Sequence, residues 1–147
     1  MRTQATSAET TRNEGETAAA GRALAATLSA GDVVLLYGDL GAGKTAFVKG
    51  LAEGLGVPRD AVSSPTFTLM QEYRGGRLTL FHVDLYRLDD PREIEDLGLH
   101  EITGEGVMAI EWADKLPRFL AAGQQGRAMD VRIEHGEADE RTIRISR

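Results

Sequence analysis

A glycine-rich segment with one lysine and one threonine has the residue types and spacing in this sequence that are best suited to chemistry. It follows the P-loop pattern G-x-x-x-x-G-K-[ST] through Gly38, Asp39, Leu40, Gly41, Ala42, Gly43, Lys44 and Thr45. The glycines let backbone N–H groups converge on a phosphate, where a Cβ atom would collide. Lys44 supplies a positive charge for the β- and γ-phosphates, and the Thr45 hydroxyl is a ligand for Mg²⁺. The segment therefore predicts binding of a nucleoside triphosphate with Mg²⁺.

Two acidic residues stand where such a protein needs carboxylates. The apolar run LFHVD ends at Asp84, and VMAIE ends at Glu111. Hydrolysis or phosphoryl transfer requires carboxylates near the loop, for the metal and for the attacking group. Either acid alone could be an ordinary exposed residue at a strand end, but the presence of both favours a paired catalytic role. One would hold Mg²⁺ and the other would orient the nucleophilic water or accept its proton, and the sequence leaves open which does which.

Other positions allow both a functional and a structural interpretation. Thr66, in the segment SSPTF, is either part of a turn or a hydroxyl that senses the γ-phosphate. His82 lies between apolar residues of a predicted strand, which is typical of a packed core histidine. Trp112 is the only tryptophan, and it is either a core anchor or a gate on the nucleotide or partner site. Tyr86 and Arg87 form either a surface pair or a contact with phosphate or a partner.

The elements around the glycine-rich segment suit this chemistry. VVLLY (33–37) is a continuous apolar run, typical of a strand buried on both faces. KTAFVKGLAEGLG (44–56) predicts a helix with a glycine stop at Gly56. An earlier helix is predicted over 13–32, from a capping-box start at Asn13 to a stop at Gly31. The predicted strand–loop–helix order is the setting that a P-loop requires.

The rest of the chain predicts further strands and helices in a single domain over residues 1–147. Residues 1–12 are polar and without period, so we expect them to be loosely ordered or a short edge strand. The other expected elements are a hairpin over 66–88 turned at Gly75-Gly76, a helix from Asp90, a buried strand over 107–110, a short helix over 114–123 and a hairpin over 128–146. Together they predict an α/β fold that is P-loop NTPase-like, with a mostly parallel central sheet, helices on both faces and antiparallel hairpin additions.

Composition narrows the class of protein. A hydrophobic content of 41% and a charged content of 27% are ordinary for a globular protein, and there is no cysteine for disulfides or thiolate chemistry. No apolar run approaches a membrane span, and the N-terminal segment lacks the apolar stretch of a signal peptide, so we expect a cytoplasmic protein. The net charge of −6 argues against binding nucleic acid by charge alone.

Taken together, four motifs resemble one family. GDLGAGKT, SPTFTL, HVDLYRL and IEW occur in this order in the sequence and look like those of TsaE. Its members are small bacterial P-loop ATPases of the pathway that puts threonylcarbamoyl on adenosine next to the tRNA anticodon. The resemblance runs from about Thr17 through Trp112. It departs at Ala113, where the family usually has proline, and the C-terminal hairpin carries no matching motif.

The resemblance implies a role for individual residues of this chain. The loop would cradle the phosphates of ATP, and Thr45 and Glu111 are similar to the family's Mg²⁺-associated residues. Asp84 looks like the acid that hydrolysis requires, and Thr66 lies in a loop similar to the family's switch region. Glu14 aligns roughly with a residue near the nucleoside. These implied roles are expectations at this stage.

The resemblance also implies a partner and a mode of action. The family binds the TsaB–TsaD protein complex and hydrolyses ATP so that TsaD can turn over, without transferring the threonylcarbamoyl group itself. We therefore expect slow ATP hydrolysis by the chain alone and productive cycling in the complex. The tRNA would be held by the partners, which fits the acidic charge balance of this chain.

Three other functions compete with this interpretation. A GTPase would need a guanine-reading N/T-K-x-D motif, and WADKLP (112–117) does not have that order. A small-molecule kinase would need an acceptor pocket and usually an arginine-bearing lid, for which the acidic segment after Asp90 is poorly suited because it offers only Arg92. A nucleotide-gated assembly module, in which hydrolysis is only a timer, partly merges with the TsaE interpretation.

Overall fold

The computed structural model describes residues 6–38, 43–57, 70–85, 90, 92, 106–113 and 128–146. Within these ranges the chain forms seven strands and two helices. In chain order they are β1 (Thr6–Thr11), α1 (Glu14–Ala25), β2 (Val33–Tyr37), α2 (Lys44–Gly54), β3 (Met70–Tyr73), β4 (Thr79–Asp84), β5 (Gly106–Glu111), β6 (Ala128–His135) and β7 (Arg141–Ser146).

All seven strands form one sheet in the order β1-β7-β6-β2-β5-β4-β3. The four central strands, β6, β2, β5 and β4, run parallel to one another. The outer strands β7, β1 and β3 pair antiparallel to their neighbours, so both predicted hairpins, β3–β4 and β6–β7, are confirmed. The predicted fold class, a mostly parallel α/β sheet with antiparallel additions, is confirmed as well.

The central strands are buried on both faces because apolar side chains alternate between two clusters. Val34 and Leu36 of β2 pack on one face, and Val33 and Leu35 pack on the other. The first cluster also contains Leu24 of α1 and residues of α2, so both described helices cover this face. The helices predicted over 114–123 and from Asp90 onward lie outside the described residues, apart from Asp90 and Arg92 themselves.

Helices α1 and α2 approach each other to backbone contact. A Cβ atom on Gly21 would lie 2.2 Å from the Phe47 carbonyl oxygen, and one on Gly50 would lie 1.8 Å from the Ala18 carbonyl oxygen. Neither position has room for a side chain, because real Cβ atoms do not approach a backbone atom so closely. The two glycines therefore set the separation of the helices.

Of the two alternatives predicted for residues 1–12, the edge strand is confirmed for residues 6–11, which form β1 rather than a loosely ordered segment and pair with β7 from Thr6↔Ser146 to Thr11↔Arg141. The predicted end of the first helix is wrong. Helix α1 ends at Ala25, well before the expected stop at Gly31. Its end is fixed by Arg77, whose guanidinium donates to the carbonyl oxygens of Ala25 at 2.5 Å and Leu28 at 3.2 Å.

The helix boundaries predicted from glycine and asparagine signals are otherwise confirmed. The Asn13 side chain accepts a hydrogen bond from the Glu16 N–H at 2.8 Å, which caps the start of α1. Gly56, with φ of +93°, follows the C-cap of α2. Neither α1 nor α2 is long and apolar enough to cross a membrane.

Candidate active site

The site begins where β2 passes into α2. Gly43 is the N-cap of α2 and has φ of +103°, which a residue with a side chain adopts only under strain. The cap offers no side-chain hydrogen bond to the first turn of the helix, and the first turn holds no acidic residue. The N-terminus of α2 therefore presents backbone N–H groups and the positive end of the helix dipole to an anion.

Lys44, the first residue of α2, is folded back over the start of this loop. Its side chain is 4% exposed, and its Nζ donates to the Gly38 carbonyl oxygen at 2.6 Å. The same Nζ lies 4.2 Å from the centroid of the Trp112 ring, a cation–π contact. Trp112 therefore touches the P-loop lysine. Its ring also packs against the second apolar cluster, as a core anchor does, and its role as a gate stays a prediction.

The backbone of Trp112 is strained. Its φ of +60° lies in the left-handed region, which costs a residue with a side chain roughly 1–2 kcal/mol. This turn follows Glu111 directly, at the end of β5. The local conformation thus separates a carboxylate and an indole ring that are adjacent in sequence, and places the ring beneath Lys44.

The structure brings the two predicted carboxylates together. Asp84 ends β4, Glu111 ends β5, and the two residues are partners in the parallel register. Both are almost fully buried, at 6% and 4% exposure. They face the side of the sheet that carries α1 and α2, because they alternate with Val83 and Ile110 of the opposite cluster. Glu111 is also the register partner of Leu36 in β2, so the pair lies beside the strand that leads into the P-loop.

His82 completes this cluster. Its Nε2 lies 2.6 Å from Oε2 of Glu111, and the imidazole is fully buried. The prediction of a packed core histidine is correct for its burial, but it missed the contact with Glu111. The spacing contained the signal: residues i and i+2 of a strand share a face, so a histidine two residues before Asp84 lies on the carboxylate side.

A cleft of about 360 Å³ opens at the N-terminus of α2. Its lining comes from three separate parts of the chain: Asn13, Glu14, Thr17, Gly43, Ala46, Asp139 and Arg141. Glu14 therefore lines the same cleft as Gly43 of the P-loop, and its implied place near the nucleoside stays a prediction. Sequence reasoning missed Asp139 and Arg141, for which no motif gave a signal. They reach the cleft because β6 is the parallel neighbour of β2 and the hairpin β6–β7 extends past its end.

A second cleft, of about 500 Å³, has Gly38 in its lining. Trp112 and Tyr37 form one part of its wall, and Arg132 to His135 of β6 form the other. The Arg132 guanidinium stacks 4.4 Å from the centroid of the Tyr37 ring, because the two residues are register partners in β6 and β2. Gly38, at the start of the P-loop, thus lines the cleft beside β6, and Gly43, near its end, lines the cleft at the N-terminus of α2.

The donor set at the carboxylate pair fits Mg²⁺. This ion is usually held in proteins by one or two carboxylates, with the remaining positions filled by water and substrate phosphates. Asp84 and Glu111 supply two carboxylates in register, and Thr45 follows in the first turn of α2. No group of three or more histidine and acidic side chains with metal-binding geometry occurs in the described part of the chain.

Several predicted site residues lie outside the described residues. They are Asp39, Leu40, Gly41 and Ala42 of the loop, Thr66 of the predicted switch segment, and the pair Tyr86 and Arg87. Their predicted roles stay predictions. The other predicted site residues are described: Gly38, Gly43, Lys44, Thr45, Asp84, Glu111 and Glu14. All but Glu14 lie at the carboxyl ends of β2, β4 and β5 or at the start of α2, and Glu14 begins α1.

Comparisons with known proteins point to one family. A family model described as threonylcarbamoyl adenosine biosynthesis protein TsaE matches residues 11–143. The chain is similar to the tRNA threonylcarbamoyladenosine biosynthesis protein TsaE of Bacillus subtilis (strain 168), with 47% identity over 134 residues that cover 90% of this chain and 80% of that protein. The protein of the same name from Nostoc sp. is 52% identical over 100 residues, which cover 64% of this chain and 60% of that protein.

One solved structure is similar to this chain in both fold and sequence. The crystal structure of YdiB from Bacillus subtilis matches this fold with a TM-score of 0.74 and 36% sequence identity. The match covers 99% of this chain and 88% of YdiB. The matches therefore include the C-terminal strands, in which the sequence motifs gave no resemblance.

Proposed function

The chain belongs to the TsaE family of threonylcarbamoyl adenosine biosynthesis proteins, and we propose that it acts in that pathway as an Mg²⁺-dependent ATPase. One observation carries the proposal: a lysine at the N-terminus of a helix lies beside the end of the strand that supplies one of two buried, paired carboxylates. Lys44 contacts Trp112, the residue after Glu111, and Glu111 is the register partner of Asp84. Phosphoryl-transfer sites need this combination of a cation, backbone donors and metal-binding acids.

Different segments of the chain would bind different parts of the nucleotide. Residues 38–45 and the N-terminus of α2 would hold the phosphates, with Lys44 exchanging its contacts to Gly38 and Trp112 for phosphate oxygens. The nucleoside would occupy the 360 Å³ cleft, where Glu14 and Arg141 offer polar contacts. We assign ATP rather than GTP because of the family resemblance and because the sequence lacks the guanine-reading motif. The adenine contacts are not specified by any motif.

The two carboxylates would take different roles. Glu111 and Thr45 would hold Mg²⁺, which neutralises charge on the phosphates when bound. Asp84 would then orient the attacking water and accept its proton. Burial supports this arrangement, because a carboxylate pair shielded from solvent interacts strongly with a nearby cation. Thr66 keeps its predicted role of sensing the γ-phosphate from the neighbouring segment.

The partner and location that we propose for this chain rest on its membership of the TsaE family. We propose that the chain binds the TsaB–TsaD complex in the cytoplasm, where ATP hydrolysis supports turnover of that complex without transfer of the threonylcarbamoyl group by this chain. The tRNA is then contacted through the partners, since the net charge of this chain is −6.

Nucleotide binding can be measured through the only tryptophan. Because the Trp112 ring lies against Lys44, titration with ATP and Mg²⁺ should change its emission. Lys44→Ala should weaken the ATP affinity about 10- to 100-fold. Loss of a charged contact costs about 1.5–3 kcal/mol, and about 1.4 kcal/mol corresponds to a tenfold change in affinity. A matched control is Lys49→Ala, a lysine of the same helix outside both clefts, which should leave the affinity unchanged. Equal affinities for Lys44→Ala and wild type would contradict the loop assignment.

Hydrolysis and partner binding need a second experiment. ATP hydrolysis is measured for the chain alone and with purified TsaB–TsaD, alongside a pull-down with and without ATP. We expect slow hydrolysis alone, faster hydrolysis in the mixture and a complex that depends on nucleotide. A complex that forms with ATP but shows no added hydrolysis would favour the assembly module. Absence of any complex would refute the proposed partner and leave the ATPase chemistry standing.

A further inference from the structure

The two ring nitrogens of His82 have unequal surroundings. Nε2 lies 2.6 Å from Oε2 of Glu111, within hydrogen-bond distance. Nδ1 is buried and has no hydrogen-bond partner among the described residues. An ionised carboxylate only accepts hydrogen bonds, so Nε2 is the donor in this pair. The histidine therefore acts toward Glu111 alone.

A purely structural role does not explain this imidazole. An unpartnered buried polar atom destabilises the folded state, and an aliphatic side chain would fill the same position in β4 without that cost. Leu80, two residues earlier on the same face, is such a side chain and belongs to the apolar cluster. The feature that distinguishes His82 from Leu80 is its contact with a carboxylate at the end of the neighbouring strand.

The contact with His82 uses only one of the two carboxylate oxygens of Glu111. His82 engages Oε2 of Glu111, whereas Oε1 makes no hydrogen bond or ion pair with a described residue. The histidine approaches from inside the sheet, because it precedes Asp84 by two residues and Asp84 is the register partner of Glu111. Oε1 is therefore left for a ligand at the end of β5, beside Leu36 of the strand that leads into the P-loop.

We propose that His82 is a positioning residue for the metal site: it fixes the rotamer of Glu111 so that Oε1 is presented to the Mg²⁺ that accompanies the nucleotide. The inference rests on the proposed function, since it assigns Glu111 to the metal. Residues that hold a metal ligand in this way typically change metal affinity about 10- to 100-fold when removed. The phosphates are held by other residues, so binding of nucleotide without metal should not depend on His82.

The test measures metal affinity rather than turnover. Free Mn²⁺ is followed by electron paramagnetic resonance during titration of the full chain with Mn²⁺ and the non-hydrolysable analogue AMP-PNP. We expect His82→Leu to weaken Mn²⁺ binding about 10- to 100-fold. His82→Gln, whose amide can donate from a similar position, should recover most of that loss. Affinity for AMP-PNP in EDTA should be equal in all variants.

Two controls separate positioning from a general loosening of β4. Val83→Ala removes buried volume from the same strand on the opposite face, and it should leave Mn²⁺ affinity unchanged while lowering the melting temperature. In a Glu111→Gln background, His82→Leu should have no further effect on Mn²⁺ affinity, because the residue through which it acts is already altered.

Each outcome decides one of the two proposals. Wild-type chain that binds no Mn²⁺ together with AMP-PNP would overturn the proposed function and this inference with it. Wild-type binding with an equal affinity in His82→Leu would overturn the inference alone. An equal loss in His82→Leu, His82→Gln and Val83→Ala would show that β4 packing matters and that the Nε2 contact does not.

Discussion

The contact between α1 and α2 at Gly50 allows a quantitative prediction for Gly50→Ala. The new Cβ would lie 1.8 Å from the Ala18 carbonyl oxygen and 2.7 Å from the Ala18 Cα, whereas ordinary contacts of a Cβ begin at 3.4 Å. The helices would have to separate by about 1.6 Å, and neither can yield locally because the opposing atoms belong to helix backbone.

The cost follows from two opposing effects. Overpacking a well-packed contact costs about 1–3 kcal/mol, and the severity of this overlap favours the upper end. Alanine gains about 1 kcal/mol over glycine from helix propensity. The net loss of unfolding free energy is therefore about 2 kcal/mol, or a melting temperature lower by about 4–8 °C for a chain of this size.

The assay is thermal unfolding followed by circular dichroism, with Gly15→Ala as the matched control. Gly15 also lies in a helix, but a Cβ there meets only the Asn13 side chain, at 3.2 Å. We expect Gly15→Ala to keep or slightly raise the melting temperature. A Gly50→Ala variant that melts at or above the wild-type temperature would refute the idea that glycine sets the helix separation.

Three further predictions concern single contacts. Arg77→Ala should lower the free energy of unfolding by about 1 kcal/mol, because it removes the donors to the carbonyl oxygens of Ala25, the last residue of α1, and of Leu28. Arg74→Ala, which loses only an exposed ion pair, should change it by less than about 0.5 kcal/mol, and equal urea midpoints for the two variants would contradict the capping role. Thr17→Val should lower the free energy of unfolding by about 1–3 kcal/mol, because it leaves the buried Thr11 hydroxyl unpaired. Adding Thr11→Val should recover part of that loss in the same denaturation assay, and additive effects of the two substitutions would count against the pairing. Asp84→Ala should lower ATP hydrolysis by about 10²–10⁴-fold and keep ATP binding by tryptophan fluorescence, while unchanged hydrolysis would remove Asp84 from the proton-accepting role.

Local sequence signals were sufficient for most elements and for the carboxylate pair. The runs that became β2 and β5 were recognisable because strands buried on both faces are continuously apolar. Asp84 and Glu111 were recognisable because each acid ends such a run. The capping signal at Asn13 was also local, since it depends on residues three apart.

Contacts between distant segments could not be predicted in the same way. The end of α1 depends on Arg77, which comes from the β3–β4 connection. Arg141 reaches the cleft at Gly43 only because β6 lies beside β2, and no local pattern encodes that strand order. His82 was predicted to be buried, but its contact with Glu111 depends on the register between two strands that are far apart in sequence.

The strand order also affects when the sheet can form during synthesis on the ribosome. β1 is the first strand to emerge, yet its partner in the sheet, β7, is the last of the described strands to be synthesised. β2, which leads into the P-loop, likewise waits for both of its neighbours, β5 and β6. A growing chain therefore carries its phosphate-binding segment long before the sheet that supports it can close. Because Arg141 of β7 lines the cleft proposed for the nucleoside, we expect ATP to bind only after the C-terminal hairpin has joined the sheet.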